Sequence, residues 1–95
     1  MEVRWTTPAL DALSALQDYL AQDSPAAADL VTKRITDSVD DLTSHPLIGR
    51  PGRVAGTREL VIPRTAHIAA YRVRGAVIQV VAIIYQAQQW PERFE

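Results

Sequence analysis

At 95 residues the chain has room for one small domain, residues 1–95, near the size at which a single core can just offset chain entropy. It has no cysteine, which excludes disulfide staples and thiolate metal sites and leaves stability to packing or to a partner. No basic leader precedes an apolar run, and no apolar stretch approaches the roughly 20 residues of a membrane span. The sequence therefore reads as a soluble, unexported protein of the cytoplasm, with no membrane among its partners. The net charge of −1 hides an asymmetry: residues 1–48 carry three cations against eight acids, and residues 49–95 carry seven cations, all arginine, against three acids. A chain so divided can offer an acidic face to one partner and an arginine face to another, although mixed surface charge also serves solubility alone.

Val3 and Trp5 alternate with Glu2 and Arg4, the period of a short strand with one buried face, and Thr6-Thr7-Pro8 stops it. Thr7 is the expected cap of a helix opening at Pro8, where proline has no useful N–H to lose. Leu10, Leu13, Leu16 and Leu20, with Ala9 and Ala12, form one amphipathic stripe that ends near Gln22. Ser24-Pro25 repeats the start signal. Ala28, Val31, Ile35, Val39 and Leu42 then mark a second helix to about Ser44, and the short connector predicts an antiparallel hairpin. Asp29, Lys33, Arg34, Asp37, Asp40 and Asp41 fall largely on its solvated side.

His45-Pro46 closes the second helix, because a residue before proline disfavours the helical region. Leu47 and Ile48 are expected to tuck the chain back onto the core. A Gly/Pro/Arg loop follows from Gly49, hardening into a strand at Arg58-Glu59-Leu60-Val61-Ile62 that Pro63 ends. Ile68 to Arg74 reads as a second strand, Gly75-Ala76 as a tight turn, and Val77 to Tyr85 as an apolar, β-branched strand in the middle of the sheet. Trp90 is expected to dock an irregular tail on the core. The order is β-α-α-β-β-β, an α+β fold in which a helical hairpin packs on a mainly antiparallel sheet.

No metal or cofactor is implied. The only histidines, His45 and His67, are far apart and suit a helix C-terminus and a strand start better than catalysis. The loop lacks the Lys-Ser/Thr ending of a phosphate-binding loop and precedes a strand. The arginines say more. Arg50, Arg53, Arg58, Arg64, Arg72 and Arg74 fall within 25 positions, with Glu59 the one acid among them. Guanidinium forks match phosphate or carboxylate, so a convergent set would suit RNA, DNA ends or an acidic peptide; the alternative is edge protection and pairing with the acidic helices. Arg50 and Arg53 stand out because loops are poor places to spend arginine on packing. Tyr85, at the end of the last strand and followed by Gln86, Gln88 and Gln89, suits acid–base chemistry, base stacking or simply the core.

These residues carry a resemblance. The strand ending in Trp5, Pro25-Ala26-Ala27-Ala28, and Leu42 with His45-Pro46 ahead of Gly49-Arg50-Pro51-Gly52-Arg53 come first. Gly56-Thr57-Arg58-Glu59-Leu60-Val61, Tyr71-Arg72-Val73 and Ala87-Gln88-Gln89-Trp90-Pro91 follow. In this order the chain resembles the RelE/ParE superfamily of toxins from bacterial type II toxin–antitoxin modules. The resemblance implies the fold given above, growth arrest, and a hetero-oligomer with a cognate antitoxin that neutralises the toxin.

Two targets are implied. RelE-like members cut mRNA on the ribosome with basic side chains and a histidine or tyrosine near the end of the last strand; ParE-like members poison DNA gyrase. The last strand here ends Tyr85-Gln86-Ala87-Gln88, without the cation of many RNA-cutting relatives, and the chain is net acidic. The resemblance thus points to a gyrase-directed toxin. If the chain is instead a ribosome-dependent nuclease, Tyr85, Arg58 and Arg72 are its catalytic set. Arg50, Arg53, Arg64, Arg74, Gln88 and Trp90 are the expected binding residues in either case. A third reading is a non-toxic relative that keeps only antitoxin binding.

Overall fold

In the computed structural model of the chain, which describes residues 1–88, 90, 91, 93 and 94, Thr6 rather than Thr7 caps the first helix. Thr6 is the last residue with extended backbone, and its Oγ1 accepts the Ala9 N–H at 3.3 Å. The same hydroxyl donates to the Val80 carbonyl at 2.9 Å, so one side chain starts the helix and pins it to the sheet. Pro8 falls in the first turn, as its missing N–H requires.

Helix α1 (Thr7–Ala21) and helix α2 (Pro25–Asp40) form the expected hairpin, with Ser24 capping α2 through the Ala27 N–H at 3.1 Å. Gln17 and Asp29, similarly placed either side of the connector, are joined at 3.2 Å. A 3₁₀ turn, Asp41–Thr43, carries the α2 stripe on to Leu42. On α1 the inward arc is Ala9, Ala12, Leu13 and Leu16. Leu10, expected on that stripe, is half exposed, because one step of about 100° beyond Ala9 turns it off the arc.

The sheet comprises β1 (Glu2–Trp5), β2 (Arg50–Pro51), β3 (Arg58–Val61), β4 (His67–Arg74) and β5 (Val77–Tyr85), in the order β1-β5-β4-β3-β2. Only β1 and β5 are parallel, with the helical hairpin as the crossover that a parallel pair needs. The apolar β5 is interior, flanked by β1 and β4, while β4 holds the central position. The structure adds β2 to the expected strands: Arg50 and Pro51, expected in the loop, pair with Glu59 and Arg58. Ala70 pairs with Ala82 but Tyr71 with Val80, which leaves Val81 as a bulged residue on β5. The bulge resets the alternation, so Ile78, Val80 and Ile83 all join the core on the helix side.

That core packs Ala9, Ile35, Val39 and Leu42 against Ile62, Ala69, Tyr71, Ile78, Val80 and Ile83. Strand alternation sends Ile68, Ala70 and Ile84 to the opposite face, yet they too are buried. Leu47 and Ile48 do not tuck onto the core. They are 61% and 65% exposed, and hydrogen bonds described below hold their segment instead. Among the described residues, no helix is long and apolar enough to cross a membrane.

Candidate functional site

Glu59 lies on β3 opposite Arg50, on the sheet face turned away from the helices, with its side chain only 2% exposed. A carboxylate so buried needs compensation. Arg50 supplies Nε and a terminal guanidinium nitrogen to Oε1 at 3.1 and 2.9 Å. Arg53 donates its backbone N–H to Oε2 at 2.7 Å, its Nε to Oε2 at 3.2 Å and a terminal nitrogen to Oε1 at 3.3 Å. Burial by itself raises the carboxyl pKa. The Arg53 N–H and the Arg53 and Arg50 guanidinium groups together outweigh it and leave the carboxyl below its ordinary value. Glu59 is therefore an ionised hub around which the arginine loop folds.

Arg50 and Arg53, which the sequence offers to an outside anion, thus already hold an internal one. Each guanidinium keeps about half its surface in solvent, 53% and 47% of the side chain. The Arg53 guanidinium carbon also stands 3.6 Å from the centre of the Trp90 ring, a cation–π stack. Trp90 accordingly docks on Arg53, not on the main core as the sequence suggests. Of the residues after Tyr85, Gln89 lies outside the described residues. The loop's glycines serve close approach more than freedom. A Cβ at Gly49 would come within 2.6 Å of Tyr71 Oη, and one at Gly52 would collide with Thr57.

Tyr71, buried on the helix side of β4, organises the entry to this loop. Its Oη donates to Pro46 O at 2.9 Å and accepts the Gly49 N–H at 2.9 Å. Arg58, its cross-strand neighbour, donates to Leu47 O at 3.2 Å and Gly49 O at 2.8 Å. Burial raises the phenol pKa, only partly offset by the Gly49 N–H and the nearby Arg58 charge. Arg58 is thus committed to the backbone of the segment from Pro46 to Gly49.

At the far end of the sheet Tyr85 pairs with His67, their rings meeting edge to face at 5.6 Å. Together with Leu16, Tyr19 and Leu20 they line a groove of about 500 Å³. Tyr85 is 48% exposed, so its core reading is corrected. Gln88 folds back on it, its Oε1 accepting the Tyr85 N–H at 2.9 Å. His67 Nδ1 is buried without a hydrogen-bond partner among the described residues, and burial lowers the imidazole pKa. Arg64, between β3 and β4, has φ of 60°, and its carbonyl accepts from Arg34 at 3.1 Å.

Arg72 and Arg74 project from the opposite face to Tyr71 and Val73. The side chains offered for RNA cleavage are therefore not brought together. Arg58 is on the helix face, Arg72 on the other, and Tyr85 about 13 Å along the sheet from Tyr71, at about 3.3 Å per residue. Among the described residues no group of three or more His, Cys, Asp or Glu side chains is placed to hold a metal ion. Sequence reasoning missed two residues that matter: Glu59, whose signal was its isolation among six arginines, and Tyr71, whose hydroxyl partners no local pattern announces.

The sequence model of the family described as the ParE toxin of the type II toxin–antitoxin system parDE matches residues 3–90. The chain is 40% identical over 90 residues to a candidate toxin of Sinorhizobium fredii, Y4kP, covering 95% of this chain and 93% of that one. It is 34% identical over 87 residues to toxin RelE2 of Caulobacter vibrioides, covering 92% and 97%. A chain in the solved chromosomal ParDE TA system from P. aeruginosa superposes with a TM-score of 0.78 at 32% identity, covering 87% of this chain and 92% of that one. With the α+β fold and the order of motifs in agreement, the chain belongs to the ParE toxin family of type II toxin–antitoxin systems.

Proposed function

We propose that this single-domain protein is a growth-arresting toxin that acts on DNA gyrase in the cytoplasm and is neutralised by a cognate antitoxin in a hetero-oligomer. Membership of the ParE family supports the toxin role, and similarity to a chain of a ParDE system supports the antitoxin as partner. The choice of target rests on the scatter of the side chains suited to RNA cleavage. Attack of a ribose 2′-OH on phosphate needs a base, an acid and a charge stabiliser within reach of one phosphorus. Here Arg58 is spent on the Leu47 and Gly49 carbonyls, Arg72 faces the other way, and Tyr85 stands at the far end of β5.

Purified toxin is expected to inhibit supercoiling by gyrase and to leave mRNA intact in a translating extract, with Tyr85→Phe inhibiting gyrase as the parent does. Codon-periodic mRNA cuts that vanish in Tyr85→Phe would replace gyrase by the ribosome as target. Co-expression of an antitoxin encoded beside the gene is expected to relieve arrest. Absence of arrest without antitoxin would reduce the chain to a non-toxic binding relative.

A further inference from the structure

The sheet face turned away from the helices is divided in two. The end bearing Glu59, Ile68, Ala70 and Ile84 is buried, and the other end is open. Pairing register puts Arg4, Gln79 and Arg72 in one row across β1, β5 and β4, and Glu2, Val77 and Arg74 in the next. All six share that face, because the alternating Val3, Trp5, Ile78, Val80, Tyr71 and Val73 pack toward the helices. Strand spacing near 4.8 Å and a two-residue repeat near 7 Å place three guanidinium stems within roughly 10 Å by 7 Å. Arg4 is tied to Glu2 at 2.9 Å, with both side chains more than half exposed. Arg72 and Arg74 have no ion-pair partner among the described residues. The exposed acids Asp11, Asp18, Asp23, Asp29, Asp37, Asp40 and Asp41 belong to the helical layer on the other side.

We infer that this open end, Arg4, Gln79, Arg72 and Arg74, is the surface with which the toxin grips an acidic protein segment of gyrase; the inference rests on the gyrase reading above. A guanidinium fork matches a carboxylate in two parallel hydrogen bonds. Every cation from residue 49 onward is arginine, and protein interfaces favour arginine over lysine. DNA fits less well: three cations release few counterions, and the acidic helical layer repels a polyanion. The antitoxin is the poorer occupant too. A lasting partner needs apolar area, and the large exposed apolar side chains lie elsewhere. Leu10, Tyr19 and Leu30 are on the helices, and Leu47, Ile48 and Val61 border β3. A polar arginine patch suits a transient, charge-steered encounter with the target.

The test compares the parent chain with Arg72→Glu/Arg74→Glu and Arg72→Gln/Arg74→Gln in supercoiling assays with gyrase holoenzyme. Urea midpoints verify folding, and co-purification with antitoxin runs alongside. Charge reversal is expected to raise the half-inhibitory concentration at least about tenfold and neutralisation about threefold, with antitoxin retention unchanged and parental inhibition weakening as salt rises. If charge reversal unfolds the chain, the neutralised pair carries the test. Unaltered inhibition by folded variants would overturn the assignment. So would loss of antitoxin binding in parallel, or arginine-dependent retardation of duplex DNA without gyrase, which would give the surface to those partners. Failure of the parent chain itself to inhibit gyrase would sink the target reading and the inference with it, and is told apart because the unsubstituted protein is the sample that fails.

Discussion

The hydroxyl of Tyr71 accepts the backbone N–H of Gly49 at 2.9 Å while donating to Pro46 O, closing the chain between α2 and β2 onto the centre of the sheet. Tyr71→Phe keeps the ring and leaves both backbone groups without a partner in a buried setting, at a cost of about 1–3 kcal/mol. Urea unfolding followed by tryptophan fluorescence should show a lower midpoint with an unchanged slope. An unchanged midpoint would mean that water replaces the phenol. Gly49→Ala should be at least as damaging, since its Cβ would come within 2.6 Å of the same oxygen and 3.0 Å of Glu59 O.

Glu59→Gln removes the charge that holds Arg50 and Arg53 together. Both guanidinium groups are about half exposed and can return to water, so the loss is expected at about 1–3 kcal/mol, below the full cost of orphaning a buried charge. Arg53→Ala should cost more than Arg50→Ala, because it also removes the stack on Trp90. Trp90 emission should shift toward the exposed wavelength in Arg53→Ala and stay near the parental value in Arg50→Ala. The reverse order would place the anchor of the tail elsewhere.

Thr6→Ala should destabilise more than Ser24→Ala, although both remove a helix cap. Each cap is worth about 1 kcal/mol, and Thr6 adds the bond to Val80 O that joins α1 to β5. A gap of about 1 kcal/mol between the two variants is expected in urea midpoints. Equal losses would show that the strand contact contributes nothing net.

The parts of the fold legible in the sequence were those fixed locally. Ser24-Pro25 announced a helix, Gly75-Ala76 a turn, and the β-branched run of β5 an interior strand, each from neighbours within a few positions. The failures share a different cause. Leu47 and Ile48 look like core residues, but the hydrogen bonds of Arg58 and Tyr71 hold their backbone from 9 to 25 positions away in sequence. Apolar pattern alone cannot register such bonds. Arg50 and Arg53 read as free cations because Glu59 looked like one acid diluted among arginines. Only the β2–β3 pairing, formed by two residues with no strand signature, brings the carboxylate beneath them. Arg72 and Arg74 were legible as a shared face, since strand alternation needs no tertiary information.

Acid should weaken the fold in two separable stages. Burial lowers the His67 pKa from its ordinary 6.5, so the unfolded chain takes up a proton there that the folded chain refuses. Its contribution is complete above about pH 6.5 and declines as pH falls below that value. The groups around the ring are Tyr85 and the α1 side chains Leu16, Tyr19 and Leu20, none of them an acid able to offset the burial. Glu59 acts in the same direction at lower pH. Its folded carboxyl resists protonation below the ordinary 4.5, and stability is lost as pH falls through the folded value. Tyr71 gives the opposite limb: with its pKa raised above 10.0, the folded chain keeps a proton that the unfolded chain releases, so stability also falls as pH rises past that point. Urea midpoints measured across pH should decline first below about 6.5 and again below about 4.5. His67→Gln is expected to erase the first decline and Glu59→Gln to flatten the second. A parental midpoint that stays level between about pH 7 and pH 5.5 would mean that His67 is protonated as easily in the folded chain as in the unfolded one.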